Sequence, residues 1–156
     1  MSEKRIMIFY DYFTPAYKAG GPIRSLENMV RVIKGFRFFI VCSNRDLDGT
    51  PLDVPADRWV PFCDSTEVFY SSTNRFRALV AQVDPDIVYA NGLFSVSFNL
   101  RPLLIGGPFQ TVVAPRGMMQ SHALATKRVR KRVYIGLLKV IASRKKITWH
   151  VTSTRE

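Results

Sequence analysis

Short apolar runs alternating with stretches of helical periodicity constrain this chain more than any other feature. Residues 6–10, IMIFY, form a run too short for a helix and without a polar face, the pattern of a strand buried on both sides of a parallel sheet. Ile23, Leu26, Val30 and Ile33 then recur at helical spacing, Gly35 stands where a glycine ends a helix, and residues 36–42 return to a strand. The rhythm continues with short strands over residues 59–62 and 67–70. A helix follows, capped by Thr73 or Asn74, with Phe76, Leu79, Val80 and Val83 on its apolar face and Asp84-Pro85 at its end. Residues 86–90 predict a strand. Ser95 caps a helical stretch with Val96, Leu100, Leu103 and Leu104, interrupted by Pro102 and stopped by Gly106-Gly107-Pro108. Residues 111–114 predict a strand. Ser121 then caps a long helix reaching about Ser143, with Val129, Val133, Leu137 and Ile141 on one face, and residues 147–152 make a last strand. Strands and helices in this order predict an α/β domain built on a doubly wound parallel sheet with helices on both faces, because right-handed crossovers put helices on either side.

Length and charge narrow the functions open to such a sheet. At 156 residues the chain fits a single domain with its own core. Cys42 and Cys63 are too few and too far apart for a disulfide framework or a paired-cysteine metal site, so both are expected as free thiols in a reducing compartment. No signal segment and no apolar run of the roughly 20 residues that a membrane span requires is visible, which leads to the expectation of a soluble, cytoplasmic protein. Between Asp86 and Glu156 there is no carboxylate, so a catalytic carboxylate pair or a hard-metal cage in the second half is excluded. No metal or cofactor is expected.

Ligands of doubly wound sheets sit beyond the carboxyl ends of the strands, and three predicted loops converge there: residues 14–24, 91–95 and 115–122. In the first, Gly20 and Gly21 precede Pro22 at the start of a helix, where free N–H groups and the positive dipole end favour an anion, with Lys18 and Arg24 beside it. The motif reads equally as a plain turn and cap. Asn91 and Gly92 end the fourth main strand, as turn residues or as ligand contacts. Arg116 and Gly117 turn out of the fifth. Arg116 is either a tie to backbone carbonyls or a fork of donors for a phosphate or carboxylate, and the strand-end position favours the second. His122 reads equally as a surface residue and as a substrate contact, His150 reads as core or edge structure, and Asp11 reads evenly as a turn residue or a ligand group.

Taken in order, FTPAYKAGGPIRSLENMVRVI, FRFFIVCSNRDLDG, DPDIVYANGLFS and VVAPRGMMQSHALATKRVRKRVYIGLLKVIASRKKITWHVTSTRE resemble the N-terminal, acceptor-side domain of glycosyltransferase family 4. That family comprises retaining enzymes of the GT-B type, built from two facing Rossmann-like domains. The resemblance implies that residues 1–156 form one Rossmann-like half, and that the glycine loop, with Gly20, Gly21, Lys18 and Arg24, faces the phosphates of a sugar nucleotide. It also implies that Asn91, Gly92, Arg116, Gly117 and His122 line the acceptor cleft. The donor-binding half, with its glutamate motif, would lie beyond Glu156, and residues 1–156 alone would be inactive. Two departures stand out: many relatives carry histidine where this chain has Asn91, and Pro-His-Gly where it has Pro115-Arg116-Gly117. The implied partners are a sugar nucleotide and a glycan or lipid-linked acceptor, in surface polysaccharide or glycolipid synthesis. The alternative is a non-catalytic domain that uses the same fold to hold an anion or phosphate.

The net charge of +11 is concentrated, since nine basic residues and no acid lie between Lys127 and Lys146. A solvated face is the ordinary origin of a charge run, but this one exceeds what solubility needs. With Lys127, Arg128, Lys131 and Arg132 at its core, it predicts an anionic membrane surface as partner, at the inner face of a membrane. Nucleic acid fits less well because no recognition motif accompanies the charge and aromatic residues are not regularly interleaved with it. Phe94, Met118 and Met119, on strand-end loops, are expected on an exposed cleft wall that could pair with a second copy.

Overall fold

Alternation of apolar side chains decides which face of the sheet each residue joins. The computed structural model describes the backbone of residues 3–116 and 128–151. In chain order it has β1 (Lys4–Phe9), α1 (Gly21–Val32), β2 (Phe36–Ser43), β3 (Trp59–Cys63), β4 (Thr66–Ser71), α2 (Phe76–Val83) and β5 (Ile87–Asn91). A π-helical turn (Val96–Leu100) runs into α3 (Arg101–Leu103), followed by β6 (Gln110–Ala114), α4 (Arg128–Arg144) and β7 (Ile147–Trp149). The strands form one sheet in the order β3-β4-β2-β1-β5-β6-β7.

β1 pairs in parallel with β2 on one side and β5 on the other, with Ile8 opposite both Ile40 and Tyr89. Even-numbered side chains of β1 join Phe38, Ile40, Cys42, Val68, Tyr70 and Tyr89 under Ile23, Leu26 and Val30 of α1. Met7 and Phe9 point the other way and join Val41 and Val88 under Phe76, Leu79, Val80 and Val83 of α2. Ala90 and Val113 carry that second face on to Leu103 and to Tyr134, Leu138 and Ile141 of α4. Burying each of these large side chains contributes about 1.5–3 kcal/mol, and both layers draw on β1.

The sheet departs from the all-parallel expectation at one edge, because β3 runs antiparallel to β4. Only Asp64 and Ser65 separate the two strands, and a crossover needs a dozen or more residues, so the short link forces a hairpin. The α2 cap also differs. Arg75, with no side-chain cap bond, holds the N-cap in place of Thr73 or Asn74, and Ser71 turns back onto Thr73 instead. Asp84 closes the helix in a left-handed conformation, as its short polar side chain permits.

The largest correction concerns α4. The expected inner face included Val133 and Leu137, yet these are 68% and 42% exposed, while Tyr134, Leu138 and Ile141 are buried. Two apolar stripes one residue apart compete for the sheet. The stripe containing Tyr134 packs its ring against Phe94 and reaches the Ser95 carbonyl with its hydroxyl at 3.4 Å, satisfying a polar group that the other stripe would leave unused. Lys145, just past the helix, also turns inward. Its Nζ donates to the carbonyls of Ile105 at 2.8 Å and Leu103 at 3.5 Å and lies 4.7 Å from the Phe109 ring centre. Burial pushes its pKa down.

Candidate functional site

The chain leaves β1 for α1 on one face of the sheet and leaves β5 for the opposite face, so the loops after these neighbouring strands part and open a crevice. Asn91 is the last residue of β5 and is fully buried. Arg116 follows β6 by two residues and reaches across: its Nε donates to Asn91 Oδ1 at 2.6 Å and its Nη1 to Ser25 Oγ, in the first turns of α1, at 3.2 Å. The guanidinium is thereby held beside the N-terminal end of that helix. Arg116 takes φ 54°, a left-handed conformation that costs a non-glycine residue free energy and persists where the surroundings impose it.

Asp11 is the one carboxylate close after β1. Ser95 Oγ donates to Asp11 Oδ1 at 2.6 Å and accepts from the Phe98 N–H at 3.1 Å, capping the π-helical turn. The Ser95 N–H in turn donates to Asn99 Oδ1 at 3.1 Å. Burial raises the pKa of Asp11, and the Ser95 hydrogen bond opposes the rise only in part. Neighbouring Tyr10 is pushed up to about 12 by burial and then by the charges of Asp11 and Tyr12, with Arg116 pulling the other way. Gly92 has φ 131°, and a Cβ there would stand 3.2 Å from Asn99 Oδ1. The floor is therefore cut to glycine. The Nδ2 donors of Asn91 and Asn99 are buried and find no acceptor among the described residues.

The residues singled out in the sequence divide accordingly. Asn91, Gly92 and Arg116 come together at the switch between β1 and β5. Gly20 is the α1 N-cap at φ 69°, Gly21 opens the helix, and Arg24 is exposed on its first turn. Lys18 is turned elsewhere: its Nζ pairs with Asp48, in a loop that Asp46 ties down by accepting from the N–H groups of Leu47, Tyr17 and Lys18. The Asp48 carboxylate offsets the positive charge expected at the anion loop. His150 is exposed just after β7, with its Nδ1 2.7 Å from the Tyr89 hydroxyl. Burial raises the pKa of that hydroxyl while Arg116 lowers it. Gly117, His122, Met118, Met119 and Lys127 lie outside the described residues, as do the side chains of Arg128, Lys131 and Arg132. Phe94 is partly buried against Tyr134 rather than laid open on a wall.

One participant, Ser25, and one bond, between Ser95 and Asp11, lie outside the sequence reading. Ser25 lies one turn into α1 from the glycine pair, on the side a strand-end arginine would reach, and that spacing was a usable signal. The Ser95–Asp11 bond joins residues 84 apart and left none. Chemically, these strand ends offer an oriented guanidinium beside the first turns of α1 and a carboxylate whose proton affinity is raised. No cluster of three or more histidine, cysteine, aspartate or glutamate residues able to hold a metal occurs among the described residues. No helix among them is long and apolar enough to cross a membrane. No protein-family model, curated protein or solved structure matches the chain.

Proposed function

We propose that this chain is the acceptor-side Rossmann-like half of a retaining, sugar-nucleotide-dependent glycosyltransferase of the GT-B type. The observation that carries the reading is the guanidinium of Arg116, fixed by Asn91 and Ser25 at the N-terminal end of α1. Two positive ends, the guanidinium fork and the helix dipole, converge on one spot, and a diphosphate is the ligand that uses both. In sugar transfer the charge on the diphosphate grows as the glycosidic bond breaks, so donors already in place stabilise the transition state more than the ground state. Asp11, oriented by Ser95, accepts a hydrogen bond from the acceptor hydroxyl, which transfer with retention brings to the sugar on the same face as the departing diphosphate. Its raised pKa brings it closer to the range in which a carboxylate can take a proton. Lys18, paired with Asp48, has no part in this scheme.

Calorimetric titration with a panel of nucleoside diphosphate sugars, the corresponding nucleosides and inorganic phosphate tests the reading. The expected result is binding of a diphosphate sugar that falls about tenfold or more in Arg116→Ala and less in Arg116→Lys, which keeps the charge but loses the fork. Equal affinity for inorganic phosphate and for every diphosphate sugar would replace the enzyme by a non-catalytic anion-binding domain. No effect of Arg116→Ala would remove both readings.

A further inference from the structure

α4 carries two apolar stripes, and the sheet uses one. Val133, Leu137 and Val140 follow one another at helical spacing and remain 68%, 42% and 50% exposed. Lys139, Arg144 and Lys146 are exposed on and just beyond the same helix, and Arg128, Arg130, Lys131 and Arg132 belong to its first turns. With no acid between residues 127 and 146, an apolar stripe lies within an uncompensated positive field.

We infer that this face of α4 docks on an anionic lipid bilayer, with the helix axis in the plane of the interface and Val133, Leu137 and Val140 in the boundary between headgroups and acyl chains. Three occupants suit an exposed apolar stripe, and charge chooses among them. A second copy of the chain would bring two wholly basic helices together, and like charges in a closing interface oppose association. A nucleic acid would match the charge but leave the valine and leucine side chains in water. An acidic bilayer satisfies both, since lysine and arginine meet the headgroups while aliphatic side chains leave water. The inference concerns a face remote in kind from the crevice and holds whatever ligand the crevice takes.

Flotation or co-sedimentation of the whole chain with vesicles of equal parts phosphatidylglycerol and phosphatidylcholine, at low salt, tests it. Wild-type protein is expected on these vesicles and absent from pure phosphatidylcholine, with binding weakened by added salt. Leu137→Ser combined with Val140→Ser alters only exposed side chains, so the circular dichroism spectrum and Tm should hold while vesicle affinity falls about tenfold or more. Lys139→Glu combined with Arg144→Glu should lower affinity at least as far. Vesicle binding untouched by the serine pair would overturn the proposal, leaving electrostatics alone. So would a lipid-free dimer that the serine pair dissolves while vesicle binding stays unchanged. Affinity for single-stranded DNA equal to that for the vesicles and indifferent to the serine pair would overturn it as well.

Discussion

Asp11 shows how a single side chain can be held at a cost to the fold. Its pKa is raised chiefly by burial, so the folded state favours the protonated form. Such a group contributes stability fully below its unfolded pKa and loses that contribution as pH rises through the folded value. Asp11→Asn, which still accepts from Ser95, should therefore raise Tm near neutral pH, with the gain vanishing on acidification below the usual carboxylate range. Thermal melts of both proteins across pH check this. Gly92→Ala should act in the opposite direction, costing about 1–3 kcal/mol by urea unfolding, because its φ of 131° strains any side chain and the Asn99 amide would have to give way to a methyl group 3.2 Å from its oxygen. Residues at this scale were legible wherever the strand-end rule applied, as with Asn91, Gly92 and Arg116. The rule says which residues reach the crevice but not what they bond there. Arg116 and Ser25 are 91 positions apart, and no local pattern encodes that bond. The pairing of Lys18 with Asp48 is unreadable for a similar reason, since Asp48 arrives from a loop whose course depends on how Asp46 folds back onto residues 17 and 18.

Among the elements, α4 separates what periodicity can decide from what it cannot. Apolar residues recur along it on two adjacent stripes, and helical spacing is satisfied by both, so the helix was predictable while its rotation was not. Tyr134, with a ring for Phe94 and a hydroxyl for the Ser95 carbonyl, settles the rotation through contacts invisible in one dimension. Leu138→Ala should accordingly cost about 2–5 kcal/mol in chemical denaturation, as a truncation in a packed core does. Leu137→Ala, at the next position, should change stability by no more than about 0.5 kcal/mol. Equal effects would show the rotation to be wrong. The hairpin of β3 and β4 is the converse case. Both strands were legible from their apolar residues, and the four residues that the sequence reading leaves between them, 63–66, already leave no room for a crossover, so the antiparallel pairing was implicit there too.

For the whole molecule, strand order was inferred only as a class, yet it is the order that builds the site. β1 lies between β2 and β5 and feeds both apolar layers, so its amides should exchange with deuterium only on global unfolding, together with those of β2 and β5. The three-residue strand β7, at the sheet edge, should open at lower free energy, and so should β3 at the other edge. Hydrogen exchange read by mass spectrometry would show this gradient, and a β7 as slow as β1 would contradict it. Lys145 has a consequence at this scale too. By anchoring the end of α4 to the carbonyls of residues 103 and 105, it keeps the helix from rolling on the sheet. Whatever α4 meets therefore encounters a face already set before contact. The conformational entropy of choosing that orientation is lost when the protein folds, and little of it remains to be lost on association.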